Sequence, residues 1–190
     1  MKKIISIVLV LCIAFCFVGC KNDKKETEHT VDIEYYAKLG KIPEVEFALG
    51  ISESDLSDHY GDGKIIDAGD HDHYVELNKT EGNKTVRLDA GNLLFYYEKA
   101  KKQNGISVII SFDTAYDFEV GIAMPEDIQN AISAEGTLTD ATADQLYFLP
   151  VSDDTAKVLS YTFDNIRLDF FFINDFLSAT VLTDTNNWSD

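Results

Sequence analysis

Two pairs of segments decide how this chain folds. Asn92-Leu-Leu-Phe-Tyr-Tyr97 and Ser107-Val-Ile-Ile-Ser-Phe-Asp113-Thr114 form the first pair; Asn165-Ile-Arg-Leu-Asp-Phe170 and Ser178-Ala-Thr-Val-Leu-Thr-Asp184-Thr185 form the second. Their offsets are 73 and 71 residues, and upstream Ser54-Asp55-Leu56 stands over Glu126-Asp127-Ile128 at an offset of 72. Whole elements therefore recur in the same order at a near-constant period, the mark of a duplicated unit.

Each copy reads as a helix followed by strands. In the first, Val45, Phe47 and Leu49 alternate with polar neighbours and suggest a lead-in strand, after a short helix over 32–39. Ser52-Glu-Ser-Asp55 matches a capping box and opens a helix that Gly61 stops. Residues 74–77 begin a hairpin turning at Glu81-Gly82-Asn83; strands over 86–90, 93–97 and 106–112 follow, the last two separated by a charged turn. In the second copy Pro125 starts a helix whose Met124, Ile128, Ala131 and Ile132 share one face. A polar connector over 137–145, a short strand over 147–149 and strands over 158–163, 166–173 and 177–183 complete it. Helix-then-sheet rather than alternating βαβ predicts an α+β fold: two tandem repeats, each a helix packed on a three- to four-stranded antiparallel sheet. The first repeat spans 32–121 and the second 122–190.

Two such units of about 72 residues, with Leu49-Gly50-Ile51-Ser52 before the first helix and a weaker echo in Ile122-Ala123-Met124-Pro125, resemble a known arrangement. It is that of the β-lactamase-inhibitory protein and related small lipoproteins of outer-membrane assembly. The resemblance implies tandem helix-plus-sheet domains that bind proteins through a sheet face and catalyse nothing. The glycine-proline phrase and the cysteines of those repeats are missing here.

The N-terminus predicts the compartment. Lys2 and Lys3 precede an apolar run over 4–18 broken only by Ser6, and Phe17-Val18-Gly19-Cys20 is followed at once by Lys-Asn-Asp-Lys-Lys. About fifteen apolar residues suit a secretory signal better than a membrane span, which needs about 20. The phrase resembles a bacterial lipobox, with Phe17 where leucine is usual. It predicts a signal peptide over 1–19 and a diacylglyceryl membrane anchor on Cys20, with the domain facing outside the cytoplasm. Residues 20–31 form the lipidated cysteine and a polar tether, whose ten residues KNDKKETEHT reach about 35 Å when extended. Cys12 and Cys16 leave with the signal, so the folded part has no cysteine for disulfides or thiol catalysis. The signal carries two lysines and no acid, so its removal takes the formal net charge from −17 to −19. Such a surface repels nucleic acid and anionic polymers and favours cationic partners or divalent ions.

No nucleophile elbow, Ser-x-x-Lys, phosphate loop or His-Glu-x-x-His occurs, so the chain reads as a binding module with no cofactor rather than an enzyme. Two candidate sites emerge. Tyr96, Tyr97 and Phe171, from equivalent aromatic-rich strands, together with Tyr161 predict an open sheet face for a protein or glycan outside the cytoplasm. Alternatively His59, His71 and His73 with Asp70 and Asp72 predict a site for Zn or another divalent cation, since an extended 70–74 puts both later imidazoles on one face. The spacing does not suit an EF-hand loop.

Overall fold

The computed structural model describes residues 31–60, 65–67, 85–142 and 155–188. Asp32 caps helix α1 (Ile33–Lys38), accepting the Tyr35 N–H at 3.0 Å, and the chain then turns through an isolated bridge between Lys41 and Ala48. The alternating Val45, Phe47 and Leu49 thus lie in a turn-rich loop rather than the expected strand. Within that loop the Glu44 carboxylate accepts the N–H groups of Tyr116 and Asp117, both 2.9 Å away. These two residues have positive φ (55° and 64°), so the carboxylate holds a turn whose amides have no ladder partner.

Helix α2 (Glu53–Tyr60) begins where the capping box placed it: the Ser52 hydroxyl accepts from the Asp55 N–H at 3.2 Å and donates to the Asp55 carboxylate at 2.6 Å. Helix α3 (Pro125–Ala131) opens with proline at its first position, and Asp127 folds back to accept the Met124 N–H at 2.9 Å. Both helices are short, and Leu56 of the first and Ile128 of the second are fully buried in the same core, with Pro125 also buried. Burial of that kind contributes about 1.5–3 kcal/mol per side chain.

The strands are β1 (Ile65–Asp67), β2 (Thr85–Ala90), β3 (Leu93–Glu98), β4 (Val108–Ser111), β5 (Thr137–Asp140), β6 (Lys157–Phe163), β7 (Ile166–Ile173) and β8 (Phe176–Asp184). They form one antiparallel sheet in the order β1-β2-β3-β4-β8-β7-β6-β5. The mixed α+β class is therefore as expected, while the strands of both halves share one sheet, two four-stranded meanders meeting where β4 pairs with β8. The charged turn after β3 is a 3-10 segment, Lys99–Asn104. The connector expected over 137–145 contains β5, an edge strand with every residue exposed, which is why its polar sequence gave no strand signal. The hairpin expected over 74–83 and the strand over 147–149 lie outside the described residues.

The sheet has two apolar faces. The helices and the 41–49 and 115–123 loops cover the first, where Phe95, Ile109, Leu159, Phe170, Phe172 and Leu182 meet Ile33, Leu56 and Ile128. On the second lie Leu94, Tyr96, Val108, Ile110, Phe171 and Val181, with Trp188 from the C-terminal segment. Two junctions beside the central strands β4 and β8 have similar bonding, the second acceptor lying one residue after the glycine in the first and two after it in the second. The Gly50 N–H reaches the Ile106 carbonyl at 2.8 Å and the Ile106 N–H reaches the Ile51 carbonyl at 2.9 Å. Likewise the Gly121 N–H reaches the Leu177 carbonyl, and the Leu177 N–H the Ala123 carbonyl, both at 2.8 Å.

Candidate functional site

The four aromatics expected on an open sheet face are all closed off. Tyr96 and Phe171 do share the second face, but they are 0% and 1% exposed. Trp188 stands edge-on to Tyr96, the ring centroids 6.3 Å apart, and Phe171 lies between Val158 and Ala179 in register. Tyr97 and Tyr161 belong to the opposite face and the main core. The open aromatic face is thus corrected: β3 and β7 are central strands covered on both sides, and aromatic runs such as Phe170-Phe171-Phe172 mark such strands rather than a recognition surface.

Two of these tyrosines show how the core is built. The Tyr97 hydroxyl donates to the Glu53 carboxylate, which also meets Lys102 Nζ at 2.7 Å, tying β3 to α2 and the 3-10 segment. Tyr161 stacks parallel to Phe163 and lies under Gly136, where an added Cβ would come within 2.5 Å of its ring. Its buried hydroxyl meets no hydrogen-bond partner among the described residues, and burial pushes the phenol's pKa up.

The histidine cluster is not assembled by the described residues. His59 Nε2 lies 2.9 Å from the Glu46 carboxylate, and its ring stands edge-on to Phe47 and Tyr60. Asp70, His71, Asp72 and His73 lie outside the described residues, and among the described residues no three His, Cys, Asp or Glu side chains gather as metal ligands. Cys20 and the rest of 1–30 are likewise outside them. Among the described residues, no helix is long and apolar enough to cross a membrane.

The structure joins two segments that each carry exposed apolar side chains, a juxtaposition the sequence did not announce. Of the large apolar side chains exposed among the described residues, Ile122, Met124 and Phe176 lie at one junction. The two hydrogen bonds between 121–123 and Leu177 set Ile122 and Phe176 side by side in the backbone, and Met124 is anchored by Asp127 before α3 begins. Asn174 and Asp175, both at positive φ (53° and 66°), make the tight turn that delivers Phe176. The exposed acids Glu119, Glu126, Asp127 and Asp175 belong to the same segments, and Lys157 is held by Asp175 at 2.7 Å. That hydrogen bond and charge raise the Lys157 pKa. An exposed apolar tip among carboxylates can hold an apolar side chain flanked by positive charge. In the sequence Ile122 reads as an echo of the helix-entry phrase and Met124 also as part of a helix face, while Phe176 falls between the expected turn at 174–175 and the strand over 177–183.

No family model matches the chain, and no curated protein does. Among solved structures it is similar to a DUF4309 family protein, YjgB, from Bacillus subtilis subsp. subtilis str. 168. The likeness has a TM-score of 0.51 and covers 80% of this chain and 92% of that one at 15% sequence identity. At that identity the likeness is one of fold.

Proposed function

We propose that this chain is an extracytoplasmic lipoprotein, anchored to the cell membrane through Cys20, whose folded part is a tandem-repeat module that binds a partner without catalysis. The observation that carries the reading is the polarity edge at Gly19-Cys20. Fifteen residues with a single polar member end there, and a wholly polar tether starts at the next residue. A compact unit begins at Val31, where that tether ends. The test is incorporation of a clickable palmitate analogue in the native host. The wild-type chain takes up label and runs as the shortened form, whereas Cys20→Ser keeps its signal and takes up none. Label retained on Cys20→Ser sinks the anchor.

The duplication within this reading rests on backbone bonding rather than on the few sequence identities. Gly50 and Gly121, with φ of 86° and 82°, occupy corresponding places in the two junctions, as do Ile106 and Leu177, each pair 71 residues apart. Ile110 and Val181, also 71 apart, face each other across the β4–β8 pair. A two-fold axis standing on that pair would exchange the halves. Leu49-Gly50-Ile51 then corresponds to Val120-Gly121-Ile122, two residues earlier than the phrase beginning at Ile122. This arrangement keeps the likeness to the tandem-repeat binding lipoproteins, but a sheet face closed by its own core moves recognition to the edges and loops.

A further inference from the structure

We propose that the tip formed by Ile122, Met124 and Phe176 is a docking surface, and that its partner is a cationic, apolar segment of another protein outside the cytoplasm. The inference rests on the binding-module reading and gives it a site. Three observations carry it: a comparison of the two junctions, the way the tip is held, and its charge.

The two junctions form an internal comparison. Gly105 precedes Ile106 as Phe176 precedes Leu177. In the first junction the chain closes on itself: an added Cβ at Gly105 would stand 2.2 Å from the Gly50 carbonyl oxygen, and Ile51 packs against the core. In the second, the Leu177 N–H reaches two residues past the glycine to Ala123, Phe176 stands where Gly105 stands in the first, and Ile122 is 61% exposed. The fold can therefore make this junction with a glycine and a covered isoleucine. Phe176, 44% exposed, and Ile122 instead stay open to solvent at the second junction.

The tip is also held in place before any partner arrives. Two backbone bonds, the Asn174-Asp175 turn and the Asp127 cap fix its segments, so little conformational freedom remains to be lost on binding. The exposed acids Glu119 and Glu126 lie in its segments beside Asp127, which caps α3, and Asp175, which pairs with Lys157, in a chain whose formal net charge is −17. That charge selects positive partners and repels anionic lipid and polymers.

The test uses the lipidated chain in zwitterionic nanodiscs, with empty discs subtracted, titrated with the probe Ac-KLKFKLK-amide and its glutamine-for-lysine counterpart. The lysine peptide should bind, and Ile122→Thr with Phe176→Ser should weaken it at least about tenfold, the loss expected when central apolar anchors are removed. Both side chains are exposed, so the thermal midpoint should stay within about 2 °C of wild type. Absence of lysine-peptide binding to the wild-type chain overturns the site, as does affinity within about twofold of wild type in the double variant. Equal binding of the glutamine peptide overturns the cationic class of partner. Wild-type discs that capture zwitterionic vesicles while variant discs do not would make the target a bilayer and overturn the protein partner. None of these outcomes touches the palmitate-label test, so failure of the tip is separable from failure of the lipoprotein reading.

Discussion

Replacing Gly105 by alanine puts the close junction of the first half to a quantitative test. Gly105 has φ 74° and ψ −160°, a region essentially restricted to glycine and costing other residues about 1–3 kcal/mol. The methyl group would also stand 2.2 Å from the Gly50 oxygen, 2.5 Å from the Gly50 carbonyl carbon and 2.6 Å from the Ile51 oxygen. All three are backbone atoms, so no rotamer change can relieve the overlap. The Gly50 and Ile51 backbone must move away, and with it go the two hydrogen bonds to Ile106, each contributing about 1 kcal/mol. The sum is about 3–5 kcal/mol, or about 10 °C in thermal midpoint for a domain of this size.

Gly91→Ala is the matched control. Gly91 also has positive φ (66°), but an added Cβ there meets nothing within 4 Å, so only the backbone term of about 1–2 kcal/mol remains. Urea unfolding of the chain from Lys21 onward, followed by the fluorescence of Trp188, the one tryptophan, measures both. The slope with denaturant should be common to wild type and both variants, so that midpoints report stability. If Gly105→Ala costs no more than Gly91→Ala within about 0.5 kcal/mol, the close approach of the two loops is wrong.

Tyr161→Phe removes a buried hydroxyl that meets no hydrogen-bond partner among the described residues, and the same denaturation assay should find it neutral to stabilising by about 1–2 kcal/mol; a loss of 1 kcal/mol would reveal a partner. At alkaline pH the fold should weaken. Burial, and secondarily Glu44, push the Tyr116 phenol's pKa far up, and burial first also raises Tyr60 and Tyr161. These phenols ionise more readily in the unfolded chain, so their contribution is full below about pH 10 and is lost as pH rises through the folded values. Stability measured from pH 8 to 11 should be level and then fall, and less steeply in Tyr116→Phe; an unchanged slope in that variant would exclude Tyr116 as a source.

How much of this was legible in the sequence depended on whether the signal was local. The Ser52–Asp55 box, Pro125 and the strands β6, β7 and β8 all follow from nearest-neighbour rules, because caps, proline and β-branched or aromatic alternation act within a few residues. β5 was hidden because it is an exposed edge, where Thr137, Thr139 and Asp140 satisfy the ladder without an apolar face to advertise it. The joining of both halves into one sheet was hidden for a different reason. The β4–β8 register is a contact between Ile110 and Val181, and nothing in either strand alone names its partner.

The aromatic strands carried the opposite error, since their composition was read correctly and their environment was not. Alternation tells which of Phe170, Phe171 and Phe172 share a face, but whether a face is open depends on what crosses it from elsewhere in the chain. Here Trp188, from the C-terminal segment, covers Tyr96. The tip inverts that lesson. Ile122, Met124 and Phe176 are unremarkable in sequence, two before a helix and one after a turn, and are brought together only because 121–123 bonds to Leu177. Burial is the default for a large apolar side chain where the fold can supply it. The informative residues for recognition are therefore those left outside at a junction whose twin is closed. By that criterion the glycine at position 105 and the phenylalanine at 176 are the pair to compare: the first shows what the backbone needs, and the second what has been added to it.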